Sequence, residues 1–224
     1  MSLQLDDFLI TGRTFEEYAA FFDLDAASMK NMRVLDCPSG ASSFIAEAKK
    51  IGISAQGCDI LYRYNVDKLR LQGEKSIKKI YADTSWMADN NFVFYHSIKK
   101  HKEHRISALE KFCTDYNPAD YKYAKLPKLL YENDSFDLIL SSHLLFVYDD
   151  RLDLTFHEIS IAEMLRIGKE VRIFPLVDYK NSHKDELDNL SPLAYRIAKK
   201  FGGEIIKVGF EFQKNANYMM KIKK

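Results

Sequence analysis

Two aspartates end two short apolar runs, and a turn of small residues follows the first of them. Asp36 ends the run at 33–36, and Asp59 lies at the end of "ISAQGCDI" at 53–60. The turn "CPSGASS" at 37–43 is rich in serine, glycine and alanine, which let a ligand approach the backbone. A helix that begins there offers free N–H groups to the same ligand. Asp36 is then placed to accept from an ammonium group or an ordered water, and Asp59 from the hydroxyls of a ribose.

The turn has one glycine, Gly40, where a dinucleotide-binding turn has three. Less backbone clearance disfavours a pyrophosphate and favours a nucleoside that carries no phosphates. The alternative is that Asp36 and Asp59 each do no more than cap a structural turn. Two aspartates at the tips of adjacent strands favour the ligand-binding interpretation.

A third group with suitable chemistry follows the clearest strand of the sequence, "FDLILSS" at 136–142. Ser141, Ser142 and His143 should lie at the same edge of the sheet as the two aspartates. His143 is the candidate general base, because its ordinary pKa lies near neutrality. The alternative is a histidine that is hydrogen-bonded within the core. The histidines of "HSIKKHKEHR" at 96–105 fit a solvated basic helix better than a metal site, so we predict no metal.

The elements that position these residues predict an α/β fold. A strand at 33–36, a helix at about 43–51 and a strand at 53–60 form a βαβ unit, which implies a parallel sheet. Thr14 and Glu17 have the spacing of a capping box and predict a helix from there. The other expected elements are strands at 121–124, 136–142 and 170–176, helices at 153–167 and 191–201, and a terminal hairpin of 204–212 with 218–223.

The stretch at about 62–118 interrupts this alternation. It is charged, aromatic and helical in pattern, and it is far longer than the usual connection between sheet elements. We expect a helical insertion that either covers the ligand or packs on the sheet edge. The whole chain, 1–224, is expected to be one domain.

Composition limits the partners and the location. The chain has 224 residues and a formal net charge of +1, which gives no indication of nucleic acid or an anionic membrane as partner. Cys37, Cys58 and Cys113 are widely spaced and predict neither a disulfide framework nor a metal pair. No run reaches the roughly 18 apolar residues of a membrane span, and no signal peptide is evident. We expect a soluble cytoplasmic protein with a small-molecule substrate; the sequence does not indicate its oligomeric state.

These phrases resemble the class I S-adenosylmethionine-dependent methyltransferases. "VLDCPSGAS" is similar to their first motif, hydrophobic-hydrophobic-Asp-x-Gly-x-Gly-x-Gly, although Pro38 and Ser42 stand where glycines are usual. "GCDI" resembles the second motif, with its ribose-binding acid at Asp59. "LPKLLYENDSFDLILSSHLLF" at 126–146 resembles the passage into the fourth strand, and "EMLRIGKEVRIFPL" at 163–176 the helix and strand that follow. More narrowly, "DCPSG", "SSHLLFVY" and "VRIFPL" resemble a group of bacterial methyltransferase-like proteins.

The resemblance implies a doubly wound, mostly parallel seven-stranded sheet with an antiparallel C-terminal hairpin and a helical insertion after the second strand. It implies S-adenosylmethionine as cofactor and transfer of its methyl group to an acceptor that the motifs do not identify. His143 would be the catalytic residue. The expected cofactor-binding residues are Asp36, Pro38, Ser39, Gly40, Asp59, Ile60, Ala124, Lys125, Leu126, Ser141 and Ser142.

Two questions stay open at the level of sequence. Family members often carry an acid after the third strand that accepts from the adenine amino group, and "YKYAKLP" offers only Ala124 and Lys125 there. Alternatively, "KKIYADTSW" contains the third strand, and Asp83 is that acid. The second question is activity. The reduced glycine motif also fits a catalytically inactive cofactor-binding protein that acts as a sensor or assembly subunit, whereas a nicotinamide-dependent oxidoreductase fits poorly.

Overall fold

One seven-stranded sheet forms the centre of the protein. The computed structural model describes residues 9–87, 92–177, 190–211 and 213–224. The strands are β1 (Arg33–Asp36), β2 (Ser54–Asp59), β3 (Tyr121–Tyr123), β4 (Phe136–Ser142), β5 (Gly168–Phe174), β6 (Glu204–Lys207) and β7 (Tyr218–Lys223). Their order across the sheet is β3-β2-β1-β4-β5-β7-β6, and β7 runs antiparallel to both of its neighbours. The expected fold class, with its antiparallel C-terminal hairpin, is confirmed.

The strand order changes direction between β1 and β4, which are hydrogen-bonded neighbours. In open α/β sheets, ligands bind at such a switch point, beyond the carboxyl ends of the strands. Asp36, the last residue of β1, is level with Gly57 of β2 and Leu140 of β4. Asp59 is level with Tyr123 of β3. The two predicted aspartates therefore lie at the same edge, on adjacent strands.

Helices cover both faces of the sheet. They are α1 (Phe15–Phe22), α2 (Ala26–Met29), α3 (Phe44–Lys50), α4 (Val66–Ile80), α5 (Ile98–Asp115), α6 (Leu154–Ile167) and α7 (Pro192–Phe201), with 3₁₀ turns at Ile60–Arg63 and Ser85–Met87. The predicted capping box starts α1: Thr14 Oγ1 accepts from the N–H of Glu17, and Glu17 Oε2 accepts from the N–H of Thr14. None of these helices, within the described ranges, is long and apolar enough to cross a bilayer.

Successive strand residues point to opposite faces and so divide the core in two. Val34, Leu138 and Leu140 belong to a core shared with α1, α3 and the helices that follow β2. Leu35 and Ile139 belong to a second core shared with α6 and α7. A sheet buried on both faces requires near-continuous apolar strands, which is what made β1 and β4 recognisable in the sequence.

The expected third strand at 121–124 is present as Tyr121–Tyr123, and the alternative is excluded because "KKIYADTSW" contains the end of α4; Asp83 therefore does not follow a strand. Two details of the sequence prediction are wrong. The fifth strand begins at Gly168 instead of residue 170. The sixth ends at Lys207, whereas the prediction ran to residue 212, which lies outside the described residues. It stops early because Phe210 turns inward and packs edge-on against Phe21, at 4.5 Å between ring centroids.

The expected helical insertion lies between β2 and β3 and contains α4 and α5. Its Tyr95, Leu109 and Phe112 are buried in the same core as Tyr18 of α1 and Leu138 of β4. The insertion is therefore an integral part of one face of the protein, and its aromatic residues pack instead of projecting into solvent.

A buried ion pair joins this insertion to α1. Glu17 is fully buried and Arg105 of α5 is 1% exposed. Arg105 Nη2 is paired with Glu17 Oε1 and also donates to the hydroxyl of Tyr95 at 3.1 Å, while the Tyr95 hydroxyl donates to Glu17 Oε1. Removing one partner of such a pair leaves an uncompensated buried charge, so these contacts tie the two elements together.

The segment before α1 crosses the start of α3. The carbonyl oxygen of Arg13 accepts from the N–H of Ser43 at 3.0 Å and from Ser42 Oγ at 2.7 Å. Gly12 lies so close to this turn that a Cβ atom there would be 2.2 Å from the carbonyl oxygen of Ala41. Only glycine permits this approach, which brings the Arg13 backbone to the turn that follows the carboxyl end of β1.

Candidate functional site

The turn after β1 folds back over the end of β2. The N–H of Cys37 donates to the carbonyl of Leu140, and the N–H of Ser39 donates to the carbonyl of Cys58 at 3.0 Å. Gly40 then adopts a left-handed conformation with φ +57°, which glycine reaches without the steric cost that other residues carry. The small residues identified in the sequence therefore form a compact bend between two strand ends.

Asp59 anchors this bend. Its Oδ2 accepts from the N–H of Gly40 at 2.8 Å and its Oδ1 accepts from the N–H of Leu61 at 2.9 Å. The hydroxyl of Tyr62 donates to the carbonyl of Gly40 at 2.7 Å and holds the bend from the other side. Burial raises the pKa of Asp59 above its ordinary value. Each carboxylate oxygen has a further lone pair, so Asp59 keeps the capacity to accept from a ligand hydroxyl.

Asp36 has a different environment from the one expected. It is fully buried, and both carboxylate oxygens accept from the Tyr18 hydroxyl, at 3.0 and 2.9 Å. Burial raises the pKa of Asp36 to about 8, so the group is mostly protonated at pH 7. The Tyr18 ring itself stacks on Phe44 at 4.4 Å between centroids. Asp36 therefore lies behind Tyr18 and does not face a ligand ammonium group.

The residues that follow β2 and β3 lie beside Asp59. Ile60 is 42% exposed, the N–H of Ala124 donates to the carbonyl of Asp59, and Lys125 is exposed. Leu126, in contrast, is buried in the second core. The contact between Ala124 and Asp59 thus brings the residues after the two strands together at the carboxyl edge of the sheet, while Leu126 packs in the core.

The end of β4 holds the candidate base. Ser142 Oγ and His143 Nδ1 are 2.6 Å apart, and Nε2 of His143 makes no hydrogen bond within the described part of the chain. His143 is partly exposed, and its ring packs against the stacked pair of Phe21 and Phe174, with centroids 5.3 and 5.7 Å away. Burial, helped by the positive charge of Arg13, lowers the pKa of His143 well below its ordinary value. The imidazole is therefore neutral at pH 7, and one of its two ring nitrogens carries a lone pair.

The backbone at this position supports a functional interpretation. His143 has φ +56°, a left-handed conformation that costs a non-glycine residue on the order of 1 kcal/mol. Such strained residues cluster at active sites. The neighbouring Ser141 is fully buried, and its hydroxyl has no hydrogen-bond partner in the described ranges.

The expected cofactor-binding residues thus divide by accessibility. Those with surface at the edge are Pro38, Gly40, Ile60, Ala124 and Lys125. Those that are buried are Asp36, Ser39, Asp59, Leu126, Ser141 and Ser142. Asp59 is 6% exposed, so it lies at the boundary between the two groups.

Sequence reasoning missed one contributor to the site, Tyr62, and the main polar contact of another, Tyr18. Tyr62 follows β2 and holds the turn, but nothing in its spacing distinguishes it from a packed aromatic residue. Tyr18 was recognisable as part of an apolar helix face, and its hydroxyl contact with Asp36 was not. No group of three or more side chains suited to hold a metal occurs within the described residues.

The edge fits the adenosine half of S-adenosylmethionine. A Cβ added to Gly40 would have no atom within 4 Å, so there is open space above the bend. The exposed Ile60 beside the Asp59 carboxylate offers an apolar surface next to a hydroxyl acceptor. The amino-acid half fits less well, because Tyr18 shields Asp36.

Comparisons with known proteins give one clear relative. No protein-family model matches the sequence. "Uncharacterized protein MJ0045" of Methanocaldococcus jannaschii is 31% identical over an alignment of 226 positions, which covers 99% of both chains. This relative is archaeal and lends no support to the narrower resemblance to a bacterial group.

Two solved structures illustrate the more distant likeness. One is a SAM dependent methyltransferase from Aquifex aeolicus, at 12% identity and a TM-score of 0.40, covering 93% of this chain and 94% of that one. The other is PH0226 protein from Pyrococcus horikoshii, at 14% identity and a TM-score of 0.46, covering 93% and 90%. The strand order of the sheet, and not these alignments, defines the fold.

Proposed function

The chain belongs to the same family as the MJ0045 protein of Methanocaldococcus jannaschii, and from the site at its sheet edge we propose that it is an S-adenosylmethionine-dependent methyltransferase with a small-molecule acceptor. The observation that carries the proposal is the pairing of Asp59 with the bend after β1. Its carboxylate holds the N–H of Gly40 and retains lone pairs toward the open edge. In open α/β sheets that bind nucleotides, an acid at a strand end accepts from the ribose beside a close backbone approach.

In this proposal, different residues of the sheet edge contact different parts of the cofactor. Asp59 accepts from the ribose hydroxyls, and Ile60 packs on the adenine, with Ala124 and Lys125 along its rim. Pro38 and Gly40 line the cofactor site, and Leu126 packs behind them. Ser39, Ser141 and Ser142 are buried at the strand ends next to the site. Asp36 acts through Tyr18, because a neutral carboxyl hydrogen-bonded to that hydroxyl fixes α1 over the bend.

His143 is the proposed general base. Bound S-adenosylmethionine supplies an electrophilic methyl carbon, so the protein's task is to orient the acceptor and remove its proton. When Nδ1–H donates to Ser142, Nε2 carries the lone pair and can take that proton. Phe21 and Phe174 pack against the ring and hold it in place.

One observation favours a second candidate function, a cofactor-binding protein without catalysis that acts as a sensor or assembly subunit. Pro38 and Ser42 replace glycines of the family's first motif, and Tyr18 covers the acid of that motif. Both candidates imply a small molecule at this edge instead of a nucleic acid or a membrane, and we propose a cytoplasmic location for either.

Isothermal titration calorimetry with S-adenosylhomocysteine, the demethylated product, tests cofactor binding. Asp59→Asn should weaken binding by about tenfold, because one carboxylate oxygen becomes an amide that cannot accept. Asp83→Asn is the matched control, since Asp83 is an exposed acid whose carboxylate only caps a local turn. Absence of binding by the wild-type chain, or equal binding by the wild-type chain and Asp59→Asn, refutes the proposed site. NAD, titrated in the same way, should not bind.

A separate measurement distinguishes the two candidate functions. Purified protein that binds the cofactor is incubated with it and with pools of small nucleophiles, and release of S-adenosylhomocysteine is measured. His143→Gln keeps the ring's approximate volume but cannot act as a base at neutral pH. Product release that His143→Gln abolishes supports the methyltransferase; binding without release in any pool supports the non-catalytic protein.

A further inference from the structure

The guanidinium of Arg13 has hydrogen-bonding capacity that the protein does not use. Its Nη1 donates to Thr11 Oγ1 at 2.9 Å and approaches the carbonyls of Thr11 and Gly12 at 3.4 and 3.3 Å. Its Nε lies 3.9 Å from Glu17 Oε1, which is too long for a hydrogen bond. Nη2 makes no hydrogen bond within the described ranges, and the side chain keeps 15% of its surface exposed. Two nitrogen donors of this charged group, Nε and Nη2, are therefore free of hydrogen bonds to the described residues.

A second arginine, Arg105, also has a hydrogen-bond donor without a partner among the described residues. Arg105 is 1% exposed, and its Nη groups are engaged by Glu17, Tyr95 and the carbonyl of Gly12. Its Nε, however, is buried and has no partner in the part of the chain that the structure describes. A buried N–H without an acceptor is uncommon in folded proteins and indicates that a ligand or water completes it.

The two guanidinium groups share one carboxylate. Glu17 is the acid that contacts them among the described residues, and its Oε2 is already occupied by the N–H of Thr14 in the capping box. His101 and His143 lie near enough for the charge of Arg13 to lower the pKa of each, so neither is an anion or a compensating group. The cluster therefore carries one positive charge in excess in a largely buried place.

The position of Arg13 connects this cluster to the proposed active site. Its backbone carbonyl is bonded to Ser42 and Ser43, at the turn that follows β1. Its side chain acts electrostatically on His143, at the end of β4, and on Tyr148 just beyond it. Arg13 therefore lies at the turn that follows β1 and within electrostatic reach of the candidate base.

We propose that Arg13, supported by Arg105, binds an oxyanion of the methyl acceptor, so that the acceptor is a small molecule that carries a carboxylate or a phosphate group. That the anion belongs to the methyl acceptor rests on the proposed function, whereas the anion site itself does not. A planar guanidinium with two free N–H donors matches the geometry of either oxyanion. The excess positive charge supplies the attraction, and the partial burial strengthens it.

The experiment measures anion binding to the full chain. Phosphate and acetate are titrated separately at millimolar concentration by calorimetry and by thermal unfolding, with the ionic strength held constant by chloride. We expect saturable binding of at least one of them and an increase in melting temperature. Arg13→Gln should weaken that binding by about tenfold or more, and Arg13→Lys should give an intermediate value because it keeps the charge and loses the fork. Arg196→Gln, on the exposed side of α7, is the matched control and should not change it.

A second arm separates the acceptor from the cofactor, whose own carboxylate is another oxyanion. The anion titration is repeated with saturating S-adenosylhomocysteine. Unchanged or tighter anion binding, with the same dependence on Arg13, supports an acceptor site. Loss of anion binding in the presence of S-adenosylhomocysteine assigns Arg13 to the cofactor's carboxylate and overturns the proposal, as does anion binding that Arg13→Gln leaves intact. Saturable, Arg13-dependent anion binding without any binding of S-adenosylhomocysteine retains the anion site and removes the methyltransferase assignment.

Discussion

The burial of Asp36 makes a prediction that can be tested without any ligand. Asp36 is fully buried with its pKa raised to about 8, whereas the carboxyl of the unfolded chain has its ordinary value of 3.8. Between these two values the folded state keeps a proton that the unfolded state has released. The free energy of unfolding therefore falls as the pH rises, and the contribution is constant again above the folded-state pKa.

The magnitude follows from that difference. Each pH unit between the two pKa values costs up to about 1.4 kcal/mol, so raising the pH from 5 to 7 removes about 2–3 kcal/mol of stability through this group alone. Asp36→Asn keeps the shape and the acceptor for Tyr18 but cannot ionise. Other groups, such as the buried histidines, titrate equally in both proteins. The difference in unfolding free energy between Asp36→Asn and wild type should thus shift by that amount in favour of the variant.

The assay is urea unfolding followed by circular dichroism, for both proteins, at several pH values from 5 to 8. Asp137→Asn serves as control. Hydrogen bonds from Arg33 and Lys169 lower the pKa of the Asp137 carboxyl, so it is ionised throughout this range and its effect should be independent of pH. A difference between wild type and Asp36→Asn that does not vary with pH would refute the reasoning, because it would mean that Asp36 is ionised and accessible instead of neutral behind Tyr18.

Three further substitutions test how the site is held. Gly12→Ala should lower stability by about 1–3 kcal/mol, because the added Cβ meets the carbonyl oxygen of Ala41; an unchanged melting temperature would show that the segment does not lie there. Tyr62→Phe removes the hydroxyl that donates to the glycine carbonyl of the bend and should cost about 1 kcal/mol in urea unfolding; equal stability would mean that water replaces the bond. Glu17→Gln leaves Arg105 buried without its counter-charge and should cost about 3–5 kcal/mol, measured by thermal unfolding; a loss below 1 kcal/mol would contradict the buried pair.

Much of the fold could be predicted from the sequence because its strands are short, apolar and bounded by turn residues. β1 and β4 were recognisable in this way, and the tips of β1 and β2 then placed Asp36 and Asp59 at one edge. The edge strand β6 was predicted too long. "GFEF" reads as a strand, but Phe210 gains more by packing among the rings of α1 and the insertion than by extending the sheet.

The site was less predictable because its decisive contacts join distant parts of the chain. The spacing of Tyr18 indicates a helix face, but its partner, Asp36, depends on how α1 crosses the turn. Likewise, no local pattern pairs Glu17 with Arg105, since α5 belongs to an insertion whose docking only the tertiary structure determines. The environment of Asp36 changed its expected role for this reason, whereas Asp59, whose partners are close along the sheet edge, lies where the sequence indicated.

The link between α1 and α5 has a consequence for the order in which the molecule can assemble. On the ribosome, α1 emerges long before α5 has been translated, so while the first strands are being made Glu17 lacks its buried partner Arg105 and has only the more distant guanidinium of Arg13 as a counter-charge. Domains generally fold as units. Here the first helix must remain undocked until Arg105 arrives, and the nascent chain should mature late and as a unit.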